Sequence, residues 1–365
     1  MQELTPIERI KRTLEHRDID RIGAFETFWP ETTEKWISEG HLNEGENPRD
    51  HFKLDMQELW AFNYVADLDF REEILEETED TKLVYNGNGA KLRWHKKHSG
   101  TPEHVDFTVK DRTNWEKIAR PHLLNEKDYK RRIKFDEYRA MREKCAENNV
   151  FFVWCGVNVF EQMHPVCGHE NMLVGMALDP EWVKDMCGVY SDLNIRLMEI
   201  LFAEAGKPDG IWFYEDMGFK LKPFMSPAMY RDIIMPAHKK TFDYAHSLGL
   251  PVFVHSCGFI EPLVPHMIEA GMDALQAMEV KAGMDMLRLK KLYGEKITLI
   301  GGLDIRKQIT NDRAVIKSYL EEKLPPAMKG SGYVLHSDHS IPDQVEYETY
   351  RYFLEKGRET GTYPA

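Results

Sequence analysis

No stretch of this 365-residue chain is apolar for long enough to span a membrane. Its opening, "MQELTPIERIKRTLEHRDIDRIGAFETF", has no apolar core of the kind a secretory signal needs and reads instead as an amphipathic helix starting near Thr5 and Pro6. Cysteine is scarce: Cys145, Cys155, Cys167, Cys187 and Cys257 are odd in number and irregularly spaced, which argues against a disulfide framework and makes reduced cytoplasm the expected compartment. An excess of basic residues is also lacking, with 48 Lys and Arg against 61 Asp and Glu and a net charge of −13. Nucleic-acid backbones and anionic membrane surfaces are therefore not expected partners. There are no repeats or low-complexity tracts, and no glycine-rich phosphate loop follows the first apolar segment.

What is present is an ordinary globular composition, 42% hydrophobic and 30% charged. Short apolar runs alternate with longer amphipathic ones. "RIGAFETFWP" (21–30), "NNVFFVWCGV" (148–157), "DGIWFYEDMG" (209–218), "PVFVHSCG" (251–258), "MDALQAMEV" (272–280), "KITLIGGLD" (296–304) and "GYVLHSDHS" (332–340) read as buried strands, with helical patterns between most of them. Continuous apolar strands separated by helices imply a parallel sheet covered on both faces. About seven such units suit a single (β/α)8 TIM-type barrel over residues 1–365 with one unit obscure, an open doubly wound sheet being the alternative. Residues 58–148 stand apart. "TKLVYNGNGAKLRWHKKH" alternates about an Asn-Gly turn and predicts a β-hairpin, placed with its helical surroundings as an insertion between the first and second barrel strands.

Polar residues gather where the apolar runs end. They are Glu26 with Phe28 and Trp29, Asn158 and Glu161, Glu215 and Asp216, His255 and Cys257, Glu279, Asp304, and His336, Asp338 and His339. In a barrel these ends converge on one face, where active sites are built. An imidazole and a thiol at His255 and Cys257 can both reach one ion as the chain curls over a strand end, and zinc accepts such donors. Further donors could come from Glu279 and from Asp338 or His339. Packing is the competing explanation, since buried cysteines mostly behave as small hydrophobes. Glu215 and Asp216 are adjacent, so at most one of them faces the mouth. "EQMHPVCGHE" (161–170) holds a rival group, His164, Cys167 and His169, but in a loop-to-helix segment with no strand end beside it.

Three stretches, "YEDMGFKLKPFMSPAMYRDIIMPAHKK", "GLPVFVHSCGFIEPLVPHMIEAGMDALQAMEVKAGMDMLRLKKLYGEKITLIGGLDIR" and "GYVLHSDHSIPDQVEYETYRYFLEKGRETGTY", together resemble the uroporphyrinogen decarboxylase superfamily and in particular its corrinoid-dependent methyltransferase branch. The likeness runs from about residue 150 to the end and is looser before. Decarboxylases of that family carry an arginine-rich loop after the first strand for substrate carboxylates. Here the place reads "FETFWPETTEKW", without arginine, which disfavours a polycarboxylate tetrapyrrole.

The methyltransferase branch implies zinc on His255 and Cys257, with a third ligand, commonly cysteine, near the last strand. This chain has Asp338 there, between His336 and His339. Nitrogen and oxygen donors leave zinc a harder Lewis acid, so the resemblance points to a methyl ether or other O-methyl donor and a corrinoid carried by a partner protein. The expected metal ligands are His255, Cys257, Glu279 and Asp338. Glu215, Asp216 and Asp304 are the expected acid–base groups, and Phe28, Trp29, Tyr214, Met217, Phe219, His336 and His339 the expected substrate contacts. Two alternatives stand beside this: a metal-free decarboxylase or lyase, and a barrel that binds tetrapyrrole or corrinoid without turnover. A homodimer is the commonest assembly for such a chain.

Overall fold

The computed structural model describes residues 3–97 and 100–364. Eight strands form one parallel sheet: β1 (Gly23–Ala24), β2 (Met56–Trp60), β3 (Phe151–Val157), β4 (Gly210–Tyr214), β5 (Val252–Ser256), β6 (Ala274–Ala277), β7 (Thr298–Gly301) and β8 (Tyr333–Leu335). Neighbours in sequence pair from β2 round to β8, and β1 returns to pair with β8. The ring closes between β1 and β2, where Asp55 N–H donates to Ala24 O at 2.8 Å and Ala24 N–H donates to Asp55 Oδ2 at 2.7 Å. Among the described residues no helix is long and apolar enough to cross a membrane.

The barrel interior is filled by side chains from alternate positions, among them Phe25, Met56, Phe151, Val153, Trp212, Phe253, Ile300 and Val334. Phe25, Trp212 and Phe253 stack in series with centroids 4.9 and 5.3 Å apart. The helix Pro6–Leu14 is N-capped by Thr5 and sends Ile10 into this core from the N-terminal end. A Cβ on Gly23 would lie 2.5 Å from Ile10 Cδ1, so the glycine leaves room for that side chain as the helix seats as a floor.

The insertion differs from its expected place and form. β2, "MQELW", is the barrel's second strand, so the excursion leaves after Trp60 and lies between the second and third strands. β2 went unread because it is not an apolar run. Glu58 is held inside by Arg49 Nη2, by Tyr214 Oη–H at 2.9 Å and by Cys155 Sγ–H at 3.3 Å, while Gln57 Nε2–H donates to Asp50 at 2.9 Å. The expected hairpin is present as Thr81–Tyr85 and Ala90–His95, but two more strands, Glu73–Glu77 and Glu103–Phe107, extend it to a four-stranded antiparallel sheet. Every residue of Glu73–Glu77 is exposed, which removes the alternation that would mark it in sequence. The segment after β3, read as loop entering helix, is already helical over Val159–Leu178 with a break at Gly168.

Asp55 is fully buried and accepts from Arg9 Nη1 at 2.6 Å, Arg21 Nη1 at 2.8 Å and Arg21 Nη2 at 3.0 Å as well as from Ala24 N. Replacing one partner of a buried ion pair leaves the other charge stranded. Asp55→Ala is expected to lower unfolding free energy by about 3–5 kcal/mol in urea titrations, with Asp55→Asn costing less.

Asp20, which accepts from Arg9 Nε at 2.8 Å and from the Leu4 and Arg21 amides, gives a pH signature. Burial opposes its charge, but Arg9 and the two amides prevail and hold the carboxyl at about 2, below its ordinary 3.8. Its contribution to stability is therefore complete above about pH 4 and lost as pH falls toward 2. Asp20→Asn should flatten that part of an acid-unfolding profile.

Candidate functional site

The C-terminal ends of β4 and β5 are stitched together before any side chain reaches the mouth. Glu215 N–H donates to His255 O at 2.9 Å, and Met217 N–H donates to Ser256 Oγ at 3.1 Å. Beyond them the two chains nearly touch. A Cβ on Gly218 would lie 2.4 Å from Cys257 O, and one on Gly258, where φ is +75°, would lie 2.4 Å from Gly218 C. Only a glycine pair permits that crossing, which turns Asp216 toward Cys257. Cys257 N–H then donates to Asp216 Oδ1 at 2.8 Å.

Three donor types meet here. His255 Nε2 lies 3.2 Å from Cys257 Sγ and 3.2 Å from Asp216 Oδ1, and one ligand atom from each residue falls within 4.8 Å of the other two. Burial resists charge on His255, but the adjoining thiol and carboxylate outweigh it and raise its pKa well above the ordinary value. Burial likewise opposes ionisation of Asp216, yet His255 draws it down to about 2. The spot around His255 Nε2 thus favours positive charge, as a proton or as a metal ion.

The orientation of His255 comes from a relay that sequence reading did not single out. His255 Nδ1–H donates to Gln276 Oε1, directly opposite on β6, and Gln276 Nε2–H donates to His336 Nε2 at 3.1 Å. His336 Nδ1–H in turn donates to the Ser337 carbonyl. His336 is fully buried, and burial depresses its pKa to about 3, so it remains the neutral acceptor that this chain requires. The relay keeps a hydrogen on His255 Nδ1 and leaves Nε2 for the cation position. Tyr214 stacks on the imidazole with centroids 4.5 Å apart. The one hint in sequence was a glutamine inside the otherwise apolar "ALQAM".

The remaining expected residues fall elsewhere. Glu279 and Asp338 are not in the donor group, whose oxygen donor is Asp216. Glu279 Oε2 accepts from Gly258 N at 2.9 Å, while Asp338 uses both oxygens on the amides of Val280 and Ile305, each at 2.8 Å. Glu215 points away from the mouth. It is fully buried, accepts from the amides of Phe160 and Glu161 at 3.0 and 2.6 Å, and pairs with His238 Nε2 at 2.5 Å, which makes it an anchor for the helix after β3. Asp304 caps the short helix Ile305–Ile309 and takes both ends of the Arg306 guanidinium.

Among the expected substrate contacts, Met217 and His336 are fully buried, and Phe28 belongs to a core cluster with Trp36, Phe52 and Tyr350. Trp29 and His339 do come together, ring on ring at 6.1 Å. Phe219 is 48% exposed beside Phe224 on a small hairpin. Glu161 gains importance. Its Oε2 accepts from Asp216 N at 3.3 Å, and its Oε1 lies 2.9 Å from His164 Nε2. Burial first, then the charges of Asp216 and Glu215, raise its pKa well above the carboxylate range. In the rival group Cys167 turns inward to the Met163 carbonyl, and His104 of the excursion sheet joins His164 and His169 in its stead.

Gln276→Ala is expected to leave the fold intact and, for a metal held by this donor set, to weaken affinity about 10- to 100-fold by freeing the His255 ring. Competition against a chromophoric chelator measures this.

The model of the uroporphyrinogen decarboxylase (URO-D) family matches residues 90–360. No curated protein matches by sequence. Among solved structures, a methyltransferase from Methanosarcina mazei superposes with a TM-score of 0.69 at 18% identity, covering 98% of this chain and 99% of that one. A glycosylated endo-β-1,4-xylanase from Gloeophyllum trabeum gives 0.39 at 8% identity over 62% of this chain and 80% of its own. A 3-keto-D-glucoside 4-epimerase from E. coli gives 0.38 at 10% over 62% and 84%.

Proposed function

The chain belongs to the uroporphyrinogen decarboxylase family, and from that premise we propose that it is a zinc-dependent methyltransferase moving a methyl group between a small O-methyl donor and the corrinoid of a partner protein. The observation that carries this is the set of Asp216, His255 and Cys257 at the barrel mouth, one oxygen, one nitrogen and one sulfur donor within 4.8 Å of one another. A catalytic zinc site in proteins has this form, three protein ligands with a fourth position open. Bound there, zinc supplies a Lewis acid for the ether oxygen.

The chain's own residues do the rest. Gln276 and His336 hold His255 in the ligating tautomer. Tyr214 stacks on His255, and Trp60 packs on Tyr214 at 4.6 Å, giving aromatic surface beside the donor set. Glu161 holds a proton next to Asp216, where an oxygen losing its methyl group needs one. Tetrapyrrole carboxylates would find no arginine between Phe25 and Trp36, so decarboxylation of such a substrate is the weaker reading.

The test is turnover of aryl methyl ethers with a reduced corrinoid protein, combined with zinc analysis. Cys257→Ala should lose turnover and the one zinc equivalent that belongs to the Asp216, His255 and Cys257 set. Glu161→Gln should keep zinc but lose about 10²–10⁴-fold in kcat, less for ethers whose leaving oxygen is already acidic. Wild-type protein that binds no zinc on reconstitution, or an unchanged Cys257→Ala rate, would overturn the reading.

A further inference from the structure

A second set of possible ligands lies on the far side of Glu161. His104 projects from the strand Glu103–Phe107 of the excursion sheet, and His164 and His169 from the helix Val159–Leu178. One nitrogen from each falls within 4.8 Å of the others. The rings form a compact group, with centroids 4.2 Å apart for His164 and His169, 5.6 Å for His104 and His164, and 5.7 Å for His104 and His169.

This meeting depends on a break in the helix. Five residues apart on an unbroken α-helix, His164 and His169 would be turned about 140° from each other. Gly168 interrupts the helix with φ 74° and ψ 154°, a conformation open to glycine, and His169 swings back beside His164. The same glycine admits the sheet. A Cβ there would lie 2.5 Å from Phe107 Cε2, so its absence lets the strand carrying Phe107 and His104 pack onto the break.

We propose that His104, His164 and His169 form a second metal site, a three-imidazole clip for a divalent ion of the zinc, nickel or copper type that fastens the excursion sheet to the helix after β3. Imidazole suits these ions, and no thiol or carboxylate belongs to the group. His164 carries the clearest sign. Its Nε2 lies 2.9 Å from Glu161 Oε1, while its Nδ1 is buried and has no hydrogen-bond partner. A ligating histidine has this arrangement, one nitrogen against a carboxyl group and the other left to face the ion. All three rings are suited to binding. Each offers one ring nitrogen to a common centre. The inference does not depend on methyl transfer, since none of the three residues belongs to the Asp216, His255 and Cys257 set.

The experiment titrates zinc into chelator-treated full-length protein against a chromophoric competitor. In Cys257→Ala the first site is disabled, and one equivalent should still bind; adding His104→Gln and His169→Gln should abolish it. Loss of zinc, nickel and copper binding in Cys257→Ala alone, or its persistence in the triple variant, overturns the clip. If far-UV circular dichroism shows the triple variant unfolded, carbethoxylation of the unmutated protein decides. Zinc should shield His104, His164 and His169 from the reagent, and equal modification with and without zinc rejects the site.

Discussion

Closure of the barrel rests on one buried carboxylate. β1 is two residues long and too short to hold β2 by ladder bonds alone, so Asp55 does so with its side chain, taking the Ala24 amide while Arg9 and Arg21 neutralise it. Arg9 also ties Asp20 and the Leu4 carbonyl. The helix that floors the barrel, the first strand and the second strand are thereby fixed to one charge cluster. Everything at the opposite end depends on this, because eight strand ends converge only if the ring is closed.

At that end, polar residues divide into those that build the mouth and those that face it. Glu215 and Asp338 use their oxygens on backbone amides of neighbouring segments, and Asp304 caps a helix. Each satisfies donors that would otherwise be buried without partners. Asp216, His255 and Cys257 remain turned to one another over the crossing at Gly218 and Gly258. Glu161 links this set to the three histidines beyond it, receiving Asp216 N–H on one oxygen and sharing a hydrogen bond with His164 Nε2 through the other.

The barrel was legible because seven of its strands are apolar runs that end in polar residues, a local pattern that needs no partner to be seen. β2 was hidden because its glutamate is satisfied by residues distant in the chain: Arg49 from before it, Cys155 and Tyr214 from later strands. Composition cannot distinguish such a strand from a loop. The helix after β3 was hidden by Pro165 and Gly168, residues that normally end helices and here accompany a break within one.

By itself the sequence determined the alternation of strand and helix, the polar strand ends, and the pairing of His255 with Cys257, since residues two apart at a strand end are neighbours in any fold. Only tertiary structure decided which carboxylate joins them. Glu215 and Asp216 are adjacent, and the turn forced by the glycine crossing sends one into the helix N-terminus and the other to the mouth. It also decided that Gln276 and His336 orient the imidazole and that His104 replaces Cys167, because those contacts join strands and sheets that only the closed barrel brings together.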